Sequence, residues 1–406
     1  MRYKITAPRK VHSVIDLPAS KSISNRALIL NTLSNSPFPV ENLSNSDDTQ
    51  VMIDAFHSTS DDFDIGAAGT SMRFLTAYFS HTPGERTITG SKRMQERPIN
   101  VLVEALNTLG GDVEYIKNNG FPPLKIRGKA LEGGDIFLSG GISSQFISAL
   151  LMIAPYMKKG LKIHLEGEII SAPYIKMTLK MMEEYGVKSE WEGNTIKIYP
   201  NEYKPVRFKV ESDWSAASYW YSIAALSEDS LIELRGLRED SVQGDSNVAG
   251  LFLDLGVKTE YTNDGIILRK NGVTAKKIFH NFVNEPDLAQ TFVVTCCLLN
   301  VPFLFTGLQS LKIKETDRIE ALKAEMKKLG YIIRDSDNSV LEWNGERTDA
   351  DADPVILTYE DHRMAMAFAP ASIKLEHLYI EEPMVVTKSY PHFWKDLEKA
   401  GFSVEE

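Results

Sequence analysis

Ile175-Lys176-Met177-Thr178-Leu179-Lys180-Met181-Met182-Glu183-Glu184-Tyr185-Gly186 leads into Val187-Lys188-Ser189-Glu190-Trp191, and Glu192-Gly193-Asn194 then turns the chain into Thr195-Ile196-Lys197-Ile198. A helical run ends at a glycine, where a positive φ closes a helix without cost to a Cβ, and two alternating strands follow. The pattern recurs. Residues 102–110 lead into Asp112-Val113-Glu114-Tyr115, 248–256 into Val257-Lys258-Thr259-Glu260-Tyr261, 319–330 into Tyr331-Ile332-Ile333, and 393–401 into Phe402-Ser403-Val404. The closing glycines Gly110, Gly186, Gly256, Gly330 and Gly401 stand 76, 70, 74 and 71 residues apart. That period is too long for the common solenoids and suits a repeated unit of mixed strands and helices, with room for five or six copies. Residues 49–56 read as the remnant helix of a worn copy. Crossovers between domains are expected near Pro18-Ala19-Ser20-Lys21 and near Glu211-Ser212-Asp213, where the helix 214–226 begins.

The composition is that of a soluble globular protein, with 43% hydrophobic and 25% charged residues among 406. A net charge of −10 argues against a nucleic-acid partner, yet a local basic cluster in a cleft can still hold small anions. Cys296 and Cys297 are adjacent inside an apolar run, which reads as two core thiols in a reducing compartment. No apolar h-region follows Met1 and no run of eighteen apolar residues occurs, so a cytoplasmic protein without membrane contact is expected. No metal-ligand spacing, phosphate-binding loop of the nucleotide type or nucleophilic triad is present, and no cofactor is expected.

Several segments carry chemistry suited to anions. Ser20-Lys21-Ser22-Ile23-Ser24-Asn25-Arg26 precedes the helix 27–33 with two cations and no acid, which fits either a phosphate or carboxylate site or a capped helix with solvated charges. Gly66-Ala67-Ala68-Gly69-Thr70-Ser71-Met72-Arg73 is a small-residue turn running into the helix 74–79, with Arg73 one turn in. Lys92-Arg93-Met94-Gln95-Glu96-Arg97-Pro98 reads as a basic loop. Gly140-Gly141-Ile142-Ser143-Ser144-Gln145 and Ser171-Ala172-Pro173-Tyr174 each open a helix, with Ser171 as an N-cap. Asp287 fronts the apolar helix 288–299. Lys314 and Arg318, four apart, can share a helical face around Glu315, and Asp317 with Glu320 forms a capping pair. Asp361-His362-Arg363 stands at the mouth of an apolar helix, and Lys388 lies in a loop before the last helix.

In chain order, Ser20-Lys21-Ser22 with Ser24-Asn25-Arg26, Ala68-Gly69-Thr70 with Met72-Arg73, Glu96-Arg97-Pro98, Ser143-Ser144-Gln145, Ser171 with Pro173-Tyr174, Pro286-Asp287, Lys314-Glu315-Thr316-Asp317-Arg318, Asp361-His362-Arg363 and Lys388 resemble the enolpyruvyl transferases. Within that family they are similar to the branch acting on shikimate 3-phosphate, and the match spans 20–391. The resemblance implies an α/β fold of two similar globular domains. Each is built from three βαβαββ repeats as an inside-out α/β barrel, with the active site in the interdomain cleft. It also implies domains of 1–19 with 213–406 and of 20–212, and closure of the two when anions bind.

The implied partners are small molecules, with a monomer expected. Shikimate 3-phosphate falls to Lys21, Ser22, Arg26, Ser143, Ser144, Ser171, Tyr174, Asp287 and Lys314. Phosphoenolpyruvate falls to Lys21, Gly69, Arg97, Gln145, Arg318, Arg363 and Lys388. The implied catalytic groups are Asp287 as proton acceptor, Glu315 as proton donor and Lys21 as the cation steadying the attacked centre. Two positions depart from the family: Ala67 and Ser310 stand where asparagine is usual, and each shrinks a polar contact. Gly69 is unsubstituted, so the phosphonate glyphosate is expected to fit. The sister branch acting on UDP-N-acetylglucosamine carries a cysteine in the loop matching 84–97, and none is present here. A non-catalytic anion-binding relative is expected to lack Asp287 or Glu315. An RNA-end-processing enzyme of related repeat architecture sits poorly with the net charge.

Overall fold

A computed structural model describes residues 1–406. Its β structure is five four-stranded sheets, each a mixed ladder. In one, Gly134–Ser139 pairs in parallel with Leu161–Glu166, which pairs antiparallel with Thr195–Ile198, which pairs antiparallel with Ser189–Glu192. A parallel pair needs a crossover, and the helix Ser144–Ile153 supplies it; the helix Ala172–Glu184 makes the second connection. The same βαβαββ order recurs around the helices Gly69–His81 and Asn100–Thr108, and around Ala289–Leu298 and Arg318–Lys328. Two sheets take a strand from the N-terminus: Lys10–Asp16 pairs in parallel with Asp229–Arg235, and Arg2–Thr6 lies between Leu378–Glu381 and Ser403–Glu405. The five glycines of the repeat all have φ between 85° and 96°.

The chain divides into a unit of 1–19 with 211–406, holding three sheets, and a unit of 20–210, holding two. The third copy expected in the second unit is reduced. It keeps the helices Lys21–Leu33 and Asp47–His57 but has only an isolated bridge between Glu41 and Lys209 in place of a sheet. Pro37, Pro39, Pro200 and Pro205 flank that bridge, and a proline cannot donate to a ladder.

Each unit buries helices and leaves sheet faces outward. Every residue of Ala289–Leu298 and of His362–Phe368 is buried, as are all but Ser215 in Trp214–Leu226. A helix apolar all round belongs inside. Cys296 and Cys297 sit in this core, and burial pushes both thiols well above their usual range.

Several expected boundaries move; the helix expected over 74–79, for one, spans Gly69–His81. The first helix starts at Lys21, six residues before the expected start, because Ser20 caps it by accepting from the Ile23 amide. The helix expected over 248–256 stops after the single turn Val248–Leu251, where Gly250 weakens propagation. The strand expected at 331 begins at Arg334, and Tyr331 makes only a bridge to Arg347.

Candidate active site

The second unit gathers four helix N-termini. Arg26, in the second turn of Lys21–Leu33, donates to Thr178 Oγ1 at 2.7 Å and Ser148 Oγ at 3.1 Å. Those acceptors lie in the second turns of Ala172–Glu184 and Ser144–Ile153. Gln145 Nε2 donates to Thr70 Oγ1 at 3.1 Å, joining the first turns of Ser144–Ile153 and Gly69–His81. Contacts at matched depth put all four N-termini at one end, where amide groups and helix dipoles favour anions.

Around that end lie the expected residues of this unit. Lys21 is the first helical residue, and its Nζ is 3.4 Å from Asp48 Oδ2. Ser143 caps its helix by accepting from the Gln145 amide at 3.4 Å, with Ser144 next in the chain. Gly69 opens its helix beneath two guanidiniums: a Cβ there would lie 2.8 Å from Arg97 Nη1 and 3.1 Å from Arg73 Nη1. Arg73 is buried, donating to Gly69 O at 3.0 Å and Pro98 O at 3.4 Å, with its charge 5.6 Å over the Phe146 ring.

Two readings change. The pair of solvated cations considered for Lys21 and Arg26 is excluded, because Arg26 is 2% exposed and also donates to the carbonyls of Ser22 and Tyr174. Burial lowers its pKa to about 10. Ser171 stands at the cap position but its side chain makes no cap bond. Its φ of +55° takes it out of the extended geometry from which a cap hydroxyl reaches the next amides, and Pro173 has no amide to offer.

The first unit builds a charge cluster around Arg318, which is 1% exposed. Arg318 Nε is 2.7 Å from Asp361 Oδ2, Nη1 is 3.0 Å from Asp287 Oδ1, and Nη2 is 3.0 Å from Glu315 Oε2. Arg363 Nη2 approaches Asp287 Oδ2 at 3.0 Å, and its Nη1 donates to Tyr219 Oη at 3.3 Å. Lys388 Nζ is 2.9 Å from Glu315 Oε1, and Lys314 Nζ is 3.8 Å from Asp287 Oδ1. Arg318, Arg363, Lys314 and Lys388 thus gather around Asp287, Glu315 and Asp361. Burial alone would raise Asp287, but Arg363, Lys314 and Arg318 hold it well below the usual carboxylate range. Burial lowers Lys314, with Asp287 opposing.

Here too the expectations need correction. Asp287 lies in the 3-10 turn Pro286–Leu288 ahead of its helix, and its carboxylate meets Arg318 and Arg363. Lys314 precedes the helix Arg318–Lys328, so it meets Arg318 through their shared partner and not along a helical face. Asp317 does cap that helix, accepting from Ile319 and Glu320. Lys388 ends the 3-10 helix Pro383–Lys388 and is not in a free loop. Strand Gly84–Thr89 occupies much of the span 84–97 read as a loop. Ala67 is exposed and Ser310 half-buried, on the 3-10 turn Gln309–Ile313.

Sequence reasoning gave no role to Asp48, Asp361 or Asp245. Asp48 had a signal in the acidic first turn of Asp47–His57 and Asp361 in its place beside His362. Asp245 had none: it is buried, takes a hydrogen bond from Ser215, and burial, aided by the charge of Asp287, pushes its pKa up to about 7.

A family model described as EPSP synthase (3-phosphoshikimate 1-carboxyvinyltransferase) matches residues 5–60 and 56–397. A 3-phosphoshikimate 1-carboxyvinyltransferase of Bacteroides fragilis strain YCH46 is 59% identical over 406 residues, covering 100% of this chain and 99% of its own. One from Shewanella pealeana is 35% identical, covering 95% and 96%. Among solved structures, an EPSP synthase of Acinetobacter baumannii superposes with a TM-score of 0.81 over the whole of both chains at 20% identity, which speaks to the fold.

Proposed function

From the premise that this chain belongs to the EPSP synthase family, we propose how its residues divide the work of transferring the enolpyruvyl group of phosphoenolpyruvate to the 5-hydroxyl of shikimate 3-phosphate. The reaction is a step of the shikimate pathway to the aromatic amino acids, and it releases 5-enolpyruvylshikimate 3-phosphate and phosphate. The observation that carries the assignment is Arg318 held between Asp287 and Glu315. One buried cation fixes two carboxylates in different surroundings, as a reaction with two proton movements requires.

Asp287, kept ionised by three cations, accepts the proton of the attacking 5-hydroxyl as its oxygen bonds to C2. Glu315, in its acid form, protonates C3. The tetrahedral intermediate then collapses: C3 returns its proton to Glu315, the C2–O bond to phosphate breaks, and Asp287 passes its proton to the leaving phosphate. Both carboxyl groups end as they began. Glu315 is bonded by Arg318 and Lys388, so its acid form needs Lys388 drawn away. The phosphate of phosphoenolpyruvate offers Lys388 a stronger partner, and substrate binding thereby readies the donor.

Lys21 steadies the attacked centre. Gly69, Arg97, Gln145, Arg318, Arg363 and Lys388 hold phosphoenolpyruvate. Lys21, Ser22, Arg26, Ser143, Ser144, Ser171, Tyr174, Asp287 and Lys314 hold shikimate 3-phosphate. Arg26 has the further task of fixing Ser22 through its carbonyl. The two compact units serve as the two domains. A monomer is part of this reading, and two buried thiols suit the cytoplasm. No helix is long and apolar enough to cross a membrane.

The test is phosphate release from phosphoenolpyruvate by the purified protein. Release that depends on shikimate 3-phosphate and fails with UDP-N-acetylglucosamine supports the reading. No release from a protein that binds shikimate 3-phosphate tightly overturns it.

A further inference from the structure

Tyr359 and Glu360 have φ of 54° and 56°, two successive Cβ-bearing residues in the left-handed region. Neither is asparagine or glycine, so the turn costs free energy and persists only where its surroundings enforce it. It immediately precedes Asp361 and Arg363, which meet the charge cluster. What enforces it comes from one face of the helix Arg318–Lys328. Arg318 grips the far end through Asp361 at 2.7 Å. Glu325, two turns on along the same face, grips the near end.

Glu325 is fully buried. Its Oε1 accepts from Tyr359 Oη at 2.6 Å, and its Oε2 accepts from the Leu357 amide at 3.0 Å and Lys328 Nζ at 2.6 Å. Lys328 also donates to Val355 O at 2.9 Å, and the Asp361 amide closes the turn onto Thr358 O at 2.9 Å. The segment 355–361 is therefore held at both ends with the left-handed pair between. Arg363 follows two residues later, where its amide donates to Asp361 Oδ1 at 2.9 Å. The substrate assignments do not use Glu325, although a fully buried carboxylate with three donors demands an explanation.

We propose that Glu325 is a positioning residue for phosphoenolpyruvate binding: together with Arg318 it clamps the left-handed turn Tyr359-Glu360 and so aims Arg363. It touches no substrate and acts through the backbone. This rests on Arg363 being a phosphoenolpyruvate ligand, which Arg363→Gln tests separately: an unchanged KM for phosphoenolpyruvate in that variant removes the site reading, whatever Glu325 does.

The clamp is tested with Glu325→Gln, Glu360→Gly and the double variant. In Glu325→Gln one carboxylate oxygen becomes an NH2 group facing donors, so either Tyr359 or the Leu357–Lys328 pair loses its acceptor. The KM for phosphoenolpyruvate is expected to rise about tenfold, with kcat and the KM for shikimate 3-phosphate within about threefold. Glu360 is exposed, and glycine adopts its φ without strain. Glu360→Gly alone is therefore expected to be near wild type, and in the double variant it is expected to restore most of the lost KM. A lowered Tm with an unchanged KM for phosphoenolpyruvate, or a double variant no better than Glu325→Gln, overturns the proposal. If Glu325→Gln does not fold, Tyr359→Phe with and without Glu360→Gly carries the same comparison.

Discussion

Replacing Gly69 by alanine separates stability from substrate affinity. Gly69 is the first residue of its helix and does not have a positive φ, so alanine fits the backbone and gains up to about 1 kcal/mol of helix propensity. The added Cβ, however, lies 2.8 Å from Arg97 Nη1, 3.2 Å from Arg97 Cζ and 3.1 Å from Arg73 Nη1. Restoring ordinary contact at about 3.5 Å moves the Arg97 terminus by about 0.7 Å. Arg73 has little room, being buried and bonded to the Gly69 carbonyl. Arg97 is half-buried and yields more easily, so the displacement falls on the proposed phosphoenolpyruvate ligand. A hydrogen bond to a charged group contributes about 1.5–3 kcal/mol, and losing roughly half of that raises KM about four- to twelvefold. Steady-state phosphate release, with each substrate varied in turn, is the assay. The KM for phosphoenolpyruvate is expected to rise about four- to twelvefold and that for shikimate 3-phosphate to stay within about twofold, with Tm unchanged or higher. An unchanged KM for phosphoenolpyruvate, or an equal rise for both substrates, refutes the reasoning.

Three further outcomes are expected. Glu315→Gln removes the donor to C3, so the single-turnover rate and deuterium uptake from solvent into C3 are expected to fall by about 10²–10⁴ while phosphoenolpyruvate binding changes little; a full single-turnover rate would falsify the assignment. Asp245 holds its proton to about pH 7 in the folded protein against about 4 when unfolded, so the stability this proton confers is complete below about pH 4 and lost as pH rises through 7. Asp245→Asn removes that loss, and its Tm is expected to fall less than the wild type's between pH 5 and 8; parallel Tm curves would contradict the raised pKa. Arg26→Ala removes a buried guanidinium that donates to Thr178, Ser148 and the carbonyls of Ser22 and Tyr174, and chemical denaturation is expected to show a loss of about 3 kcal/mol; a loss below about 1 kcal/mol would mean the guanidinium does not hold its three helices together.

The glycine period was legible because a helix C′ position is a local requirement: the φ needed at Gly186 or Gly330 depends on neighbours in the chain. The same locality exposed the anion-binding segments, since the residue types at Lys21, Ser143 and Arg318 express their chemistry wherever they fold. It also explains the misses. Whether 331–333 joins a ladder is decided by which strand lies alongside, and that is not written in a window of ten residues; the helix expected over 248–256 overlooked Gly250, which weakens it after one turn.

By itself the sequence determined the repeated α/β unit, the apolar helices that become the core, and the set of cations and carboxylates available for chemistry. Only the tertiary structure decided which of these charges meet. Arg318 joins Asp287 and Asp361 from segments far from its own, and Arg26 turns inward to Thr178 and Ser148. The role of Asp245 also follows from its surroundings, with burial and the charge of Asp287 raising its pKa. The physical reason is range: helix caps and glycine turns are satisfied by bonds a few residues long, whereas a charge's pKa and partner depend on burial and on groups brought near by distant parts of the chain.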